Sequence, residues 1–326
     1  MLKYKKFLFE GEFVLNKKGN LSGAVMLVLA AFFWGTTFIA QSNAMNSIGP
    51  FTFSALRSLI AVPLLFGLYL IRNGKRWLEP FKKENVRLTL KGGITCGLVL
   101  FLATNLQNTG LIETSPGEGG FITALYIIMV PIIGIFLGKK SSFVVWICAA
   151  VGVIGFYLLN MTDSGFSISI WEILVLACAV SYSFHILACE KYGNVIDCVL
   201  LSCIQFAVAA LLSGAFAFLD TVLLGFEPIN AALLSKTWFD ILYAAVFSSA
   251  IAFTLQIAGQ KKVPATAAVL LMSLESVFAV VAAWIINPAE NALKPVQVVG
   301  CALIFVAICF AQVPIGKNPE KEMITQ

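Results

Sequence analysis

One carboxylate of this 326-residue sequence lies in the middle of a long apolar run. Glu275 is the only charged residue of the run 265–286. If this run is a membrane helix, a charge near its centre costs at least about 2.5–3.5 kcal/mol. Such a group needs a specific role. It can bind an ammonium group, take up a proton, or form a hydrogen bond or ion pair that joins two helices.

Arg57 is a second ionisable residue within an apolar run, 51–71. At 1.5 Å per residue, Arg57 lies about 9 Å below the outer end of its helix and Glu275 about 15 Å into its own, an axial gap of about 6 Å. Three arrangements fit this gap. The two side chains pair, or they hold the two ends of a zwitterion, since the planar fork of Arg suits a carboxylate. Alternatively, Arg57 forms a permanent pair, with Glu118 or Glu172 as the candidates.

Six further residues are candidates for the same region, and each has a second interpretation. Three aromatic side chains can form walls that attract a cation, or they can pack in the core. One histidine can relay protons near neutral pH, or it can make a helix–helix contact. Two glutamines can bond a bound molecule, or they can join neighbouring helices. These residues are Trp34, Tyr126 and Tyr182, then His185, then Gln107 and Gln256.

Membrane helices are the elements that must position these residues. Apolar residues make up 59% of the chain and charged residues only 12%, too little charge to cover a soluble protein of this length. A span needs roughly 20 apolar residues, and long runs without alternation favour helices over barrel strands. We predict an all-α integral membrane protein with ten transmembrane helices. They cover 21–41, 51–71, 92–111, 118–137, 143–160, 170–189, 196–219, 238–259, 265–286 and 296–313.

The basic residues are sorted by side. Nineteen of the 22 Lys and Arg residues precede the first run, follow the last run or lie in alternate connections. Only Lys236 and Lys294 fall on the other side, and Arg57 lies within a run. The positive-inside rule makes the richer side cytoplasmic, which places both termini there. The net charge of +5 is thus explained by orientation, and no nucleic-acid partner is expected.

The two halves of the chain resemble each other. Each half has five runs, an odd number, so the second half enters the membrane with opposite polarity. We predict a cytoplasmic segment 1–20, repeats at 21–160 and 170–313, and a cytoplasmic tail 314–326. In inverted repeats the binding site lies near the midplane and opens to alternate sides. Offsets of 148 or 149 residues match Gln107 with Gln256, Tyr126 with Glu275, and Trp34 with Tyr182.

Short motifs over residues 21–313 carry a family resemblance. They are Phe32-Phe33-Trp34-Gly35-Thr36, Leu56-Arg57, Asn105-Leu106-Gln107, Gly120-Phe121-Ile122-Thr123, Pro264-Ala265-Thr266 and Leu274-Glu275-Ser276. With the repeat, the sequence resembles the EamA-type, ten-helix members of the drug/metabolite transporter superfamily. The resemblance implies two inverted five-helix repeats, with spans 1–4 and 6–9 around a cavity and spans 5 and 10 peripheral. It also implies a small metabolite as cargo, often an amino acid or a derivative, commonly moved outward.

Two residues depart from the family pattern. Ser276 stands where a Pro is usual, which should alter a kink in the ninth span. Glu118 stands where a small or basic residue is frequent, which weakens any transfer of a substrate by analogy.

No cofactor or metal site is predicted. One His and eight scattered Cys give no ligand cluster, and the outer connections contain no Cys that could form a disulfide. The run from Gly134 to Ser141 resembles a phosphate loop, but its spacing is one residue short. Gly93 and Gly97 form a G-x-x-x-G pair, which indicates close helix packing within the chain or in a homodimer.

We therefore predict a secondary transporter, not an enzyme, in a bacterial plasma membrane. It would export amino acids or amine-bearing metabolites by alternating access, using a proton or solute gradient because no ATP motif is present. Its partners would be the lipid bilayer and a small-molecule substrate. The alternatives are a cationic drug carrier, a nucleotide-sugar carrier, for which only Arg57 is visible as a cavity cation, and a non-transporting membrane scaffold or sensor.

Overall fold

The computed structural model describes residues 17–114, 116–138, 143–159, 169–286 and 295–311, and these residues form helices without any strand. The all-α prediction is confirmed for this part of the chain. A π-helix, Ala244–Ala252, continues directly from one α-helix into the next. The α-helices are α1 (Lys17–Met45), α2 (Pro50–Asn73), α3 (Val86–Gly110), α4 (Pro116–Ala124), α5 (Tyr126–Phe136), α6 (Phe143–Leu159), α7 (Ile170–Gly193), α8 (Cys198–Phe216), α9 (Phe218–Val222), α10 (Ala231–Tyr243), α11 (Phe253–Gln260), α12 (Ala265–Met272), α13 (Leu274–Ile286) and α14 (Pro295–Ala311).

Seven helical stretches are long and apolar enough to cross a membrane, by length and composition. Shorter apolar helices cover Ile122–Phe136, Trp146–Gly155 and Val298–Ala307. Large hydrophobic side chains point away from the bundle, among them Ile71 and Leu211, which are 83% and 75% exposed. A surface of this kind suits hydrocarbon and not water. The total of ten spans remains a prediction.

Two predicted spans are broken, which the sequence analysis did not foresee. The run 118–137 is interrupted at Leu125 and the run 265–286 at Ser273. At the first break, the N–H of Leu125 donates to the carbonyl of Ile122 at 3.2 Å, three residues earlier and not four. At the second break, the Ser273 hydroxyl donates to the carbonyl of Leu270 at 2.7 Å and competes with the helical ladder. The kink in this span therefore does not require a Pro at position 276.

The packing of the helices is symmetric between the halves. Helix α2 packs against α8, its repeat equivalent, and α6 packs against α14, its own equivalent. Helix α3, in the third span, packs along α7, in the sixth. The equivalent contact, with the halves exchanged, joins α1 in the first span to the π-helix and α11 in the eighth. Likewise α7 contacts α4 and α5, while α1 contacts α12 and α13. This pattern is what a twofold relation between the halves produces.

Gly35 determines how closely α1 approaches the helix that carries Glu275. A Cβ atom at this position would lie 2.5 Å from the backbone oxygen of Glu275 and 2.6 Å from Cβ of Phe278. Both distances are below ordinary contact, so only glycine permits this approach. The position of Glu275 thus depends on a residue that has no side chain.

Replacing Gly35 by Ala should separate α1 from α13 and lower stability, because overpacking of a tight contact costs about 1–3 kcal/mol. The measurement is the thermal midpoint of the purified protein in detergent. Gly67→Ala is the matched control: it is also helical, a Cβ there would meet no atom within 4 Å, and Ala is the better helix former. Equal midpoints for the two variants would contradict the role given to Gly35.

Candidate functional site

A cavity lies between the two halves of the bundle. Seven of the eight residues predicted from the sequence line it, and His185 does not. The described residues of α6 and α14 do not contribute, in keeping with the peripheral position that the family resemblance implied. Helix α8 does not contribute either, contrary to that implication. The lining consists of Trp34, Phe38, Gln41, Arg57, Gln107, Thr123, Tyr126, Tyr182, Ile186, Ser248, Phe253, Gln256, Met272 and Glu275.

Glu275 is bonded to its own repeat equivalent. The Tyr126 hydroxyl donates to Oε1 of Glu275 at 3.0 Å, and both residues are buried. Each lies at the start of the helix that follows the break in its span, Tyr126 as the first residue of α5 and Glu275 as the second residue of α13. Equivalent residues can touch each other only near the axis that relates the halves. The carboxylate is therefore at the centre of the arrangement.

Arg57 faces the same cavity but does not pair with Glu275. Its Nε donates to Oγ of Ser249 at 2.9 Å, and its Nη2 donates to Oγ of Ser248 at 3.1 Å. Its guanidinium carbon lies 5.9 Å from the ring centre of Phe53. Neither of the two ion pairs found among the described residues involves Arg57. Arg57 is thus a buried cation held by neutral groups.

The permanent partners considered for Arg57 are not beside it. Glu172 forms a capping box with Ser169 at the start of α7 and is not among the residues that line the cavity. The side chain of Glu118 lies outside the part of the chain that the structure describes. Direct pairing with Glu275 and pairing with Glu172 are therefore both absent from this arrangement of the described residues.

The two glutamines differ in their bonding. Gln107 accepts from Gln41 at 3.3 Å and donates to Thr123 at 3.1 Å, so its amide is used on both sides. Oε1 of Gln256 is buried and has no partner among the described residues, and the same holds for the indole nitrogen of Trp34. Buried polar groups are normally bonded, so one acceptor and one donor of residues that line the cavity lack a partner in the described part of the chain.

His185 lies behind the wall of the cavity. Its ring nitrogen Nε2 is 3.0 Å from Oε1 of Gln205, on α8, and its side chain is fully buried. The Cys189 sulfur lies 3.4 Å from the same nitrogen. These contacts fit the helix–helix interpretation of His185, while Tyr182, one turn earlier, does reach the cavity.

Sequence reasoning missed several residues of the site. Ser248 and Ser249 are adjacent hydroxyls in an apolar run, and Gln41 is an amide in another, so polarity within a span could have indicated all three. The π-helix that brings both serines to Arg57 has no comparable signal. Among the described cysteines, residues 96, 148, 178, 189, 198 and 203 are free thiols.

Comparison with known proteins agrees with this architecture. The sequence model of the EamA-like transporter family matches twice, at residues 21–161 and 169–312. The chain belongs to the EamA-like transporter family. The resemblance inferred from the motifs is thereby confirmed, and the two matches fall on the two halves of the chain. Together with the apolar helices, they identify a multi-pass membrane protein of a transporter family.

Relatives of this EamA-like transporter occur in distant organisms. An uncharacterized transporter of Archaeoglobus fulgidus is 30% identical over 86% of this chain and 83% of its own length. The uncharacterized transporter YetK of Bacillus subtilis is 26% identical over 94% and 91%. A chloroplastic WAT1-related protein of Arabidopsis thaliana is 25% identical over 93% and 74%. One solved crystal structure shares the fold, with a TM-score of 0.66 at 21% identity over 89% of this chain and 96% of that chain.

Tyr126→Phe should destabilise this EamA-like transporter, because it removes the hydrogen bond that Glu275 accepts at the axis. Loss of a bond to a buried group costs about 1–3 kcal/mol, more for a charged group. The readout is the thermal midpoint without added solutes. Tyr157→Phe makes the same chemical change on α6, where the side chain is 52% exposed, and should leave the midpoint unchanged. A midpoint of Tyr126→Phe equal to that of the control would show that this bond does not contribute.

Proposed function

We propose that this protein transports a small zwitterionic or amine-bearing organic solute, such as an amino acid, through the central cavity. One observation carries the proposal. Glu275 and Arg57 are ionisable groups of opposite sign that line the same cavity, yet each is held by neutral groups and not by the other. A buried charge without a counter-ion is expensive, so a molecule that supplies both opposite charges would bind favourably.

The surroundings of the two charges support this class of solute. Glu275 would bind the ammonium group, and the rings of Trp34, Tyr126 and Tyr182 on the same cavity would add attraction for a cation. Arg57 would bind the carboxylate. The free indole N–H of Trp34 and the free amide oxygen of Gln256 would fix the orientation of the solute.

A cationic solute is the second candidate, because Glu275 and the aromatic rings would serve it without Arg57. A nucleotide-sugar is less favoured, since Arg57 is the only basic residue among the described residues that line the cavity. The proposal further includes outward transport by alternating access, with the breaks at Leu125 and Ser273 as the bending points. Such transport would draw on a proton or solute gradient.

Glu275→Gln should strongly reduce flux of the preferred solute into proteoliposomes, because the amide keeps the shape of the carboxylate and loses its charge. Flux is measured for an amino acid, its decarboxylated amine and a quaternary amine. A zwitterion carrier should prefer the amino acid, and a cation carrier should prefer the amines.

Glu172→Gln is the control for this experiment. It also neutralises a glutamate on a helix, but this side chain is only partly buried and belongs to the capping box of α7, where Gln is tolerated. Its flux should equal that of the unchanged protein. Undiminished flux in folded Glu275→Gln would falsify the assignment of the site, and a protein without flux for any of the solutes would favour a scaffold or sensor.

We also propose a bacterial plasma membrane location with both termini in the cytoplasm, because the basic residues are sorted by side. Lys75 and Lys236 are exposed and fall on opposite predicted sides. In intact cells a membrane-impermeant maleimide should label Lys236→Cys, and it should label Lys75→Cys only after permeabilisation. The unsubstituted protein, with its native cysteines, provides the background. The reverse labelling pattern would invert the proposed orientation.

A further inference from the structure

Two serines bind Arg57 in the way that a single carboxylate group would. Nε and Nη2 lie on one edge of a guanidinium group, the edge that binds both oxygens of a carboxylate side by side. In this protein that edge is occupied by the hydroxyl oxygens of Ser249 and Ser248, at 2.9 and 3.1 Å. Two hydroxyl oxygens from neighbouring residues thus stand where the two oxygens of one carboxylate would stand.

The local backbone makes this arrangement available. Adjacent residues of an α-helix point about 100° apart, which works against two neighbouring hydroxyls meeting one flat group. Ser248 and Ser249 lie in the π-helix Ala244–Ala252, which is wider than an α-helix. π-helices are rare and concentrate at functional sites. The nine-residue π-helix changes the angle between these neighbouring side chains, and this helps both hydroxyls to form hydrogen bonds with Arg57.

The electrostatics show that the serines are an incomplete substitute. Arg57 is 3% exposed and has no carboxylate within ion-pair distance among the described residues. Hydroxyls satisfy its donors but do not neutralise its charge. A carboxylate that reached the same edge would do both, so it has an advantage over the serines that grows as the surroundings become less polar.

We propose that Ser248 and Ser249 act as an internal stand-in for the carboxylate of the transported solute, which displaces them from Arg57. The displacement frees the π-helix to change its winding, so that occupancy of the cavity is linked to the conformation of the eighth span. The proposal rests on the cavity being the solute site. It adds that the serines compete with an anion for Arg57, and that the π-helix changes conformation when the anion binds.

Removing the competing hydroxyls should strengthen the binding of simple carboxylates. The probes are acetate, glycine and methylamine, titrated into the purified protein at constant ionic strength, with dissociation constants taken from thermal shift. Ser248→Ala/Ser249→Ala should bind acetate and glycine at least about tenfold more tightly than the unchanged protein, since two hydrogen bonds to a charged group no longer need to be broken. Affinity for methylamine should not change.

Ser183→Ala is the matched control. Ser183 is also a fully buried serine, but its hydroxyl donates to the carbonyl of Ala179 within its own helix, and it does not line the cavity. Its acetate affinity should equal that of the unchanged protein. If the double variant does not fold, each single variant, Ser248→Ala or Ser249→Ala, should bind acetate at least about threefold more tightly.

Hydrogen exchange provides a second readout that does not require transport. Acetate should accelerate amide exchange over residues 244–252 in the unchanged protein, and the double variant should exchange quickly without acetate. Acetate affinity that is unchanged or weaker in the folded serine variants overturns the proposal, because the hydroxyls would then be permanent supports of Arg57 or part of the binding site.

These measurements distinguish a failure of the serine displacement from a failure of the proposed transport. Tighter acetate binding in the serine variants without amino-acid flux would uphold the exchange at Arg57 and reject the transport proposal. Amino-acid flux with acetate binding insensitive to the serines would do the opposite.

Discussion

The cost of placing charge in a low-dielectric bundle is the constraint on which this structure depends. Each charged side chain inside a membrane helix must find partners that offset its desolvation, and isolated charges are driven to the ends of the helices. Glu275 and Arg57 are exceptions, and each is supported by a distinct device. A tyrosine from the other half bonds Glu275, and two serines on a locally rewound helix bond Arg57.

The two devices show how a repeated fold produces a site that is not itself symmetric. Tyr126 and Glu275 occupy equivalent positions, and the symmetry of the packing brings them together at the axis. Their chemistry has diverged, so the contact joins a donor to an acceptor. The equivalent of Arg57 by the 148-residue offset is Gln205, which bonds His185 behind the cavity wall. One half thus contributes a cation to the cavity where the other contributes structural packing.

Hydropathy and internal repetition predict much of this arrangement, and local hydrogen bonding explains the remainder. Apolar runs give the helices, and the 149-residue offset pairs Tyr126 with Glu275 before any contact is known. The breaks at Leu125 and Ser273 escape such reasoning, because hydropathy stays high across them and the cause is a few local hydrogen bonds. The π-helix escapes it too, since its serines contact Arg57, almost two hundred residues earlier. The sequence pattern predicts His185 at the cavity because it shares a helical face with Tyr182. Such a pattern does not show which neighbouring helix covers each residue of the face.

Exchange of partners is easier at this site than at a preformed ion pair. Had Glu275 and Arg57 bonded each other, an incoming solute would have to break a buried ion pair, and removing one partner of such a pair costs about 3–5 kcal/mol. A hydrogen bond between a neutral group and a charged one contributes about 1.5–3 kcal/mol, so neutral partners are displaced at lower cost. A carrier must also release what it binds, and the same neutral groups can return to the charges when the solute leaves. The neutral partners therefore stabilise the two ionisable groups when the site is empty. Because these partners are displaced at low cost, solute binding can be reversible.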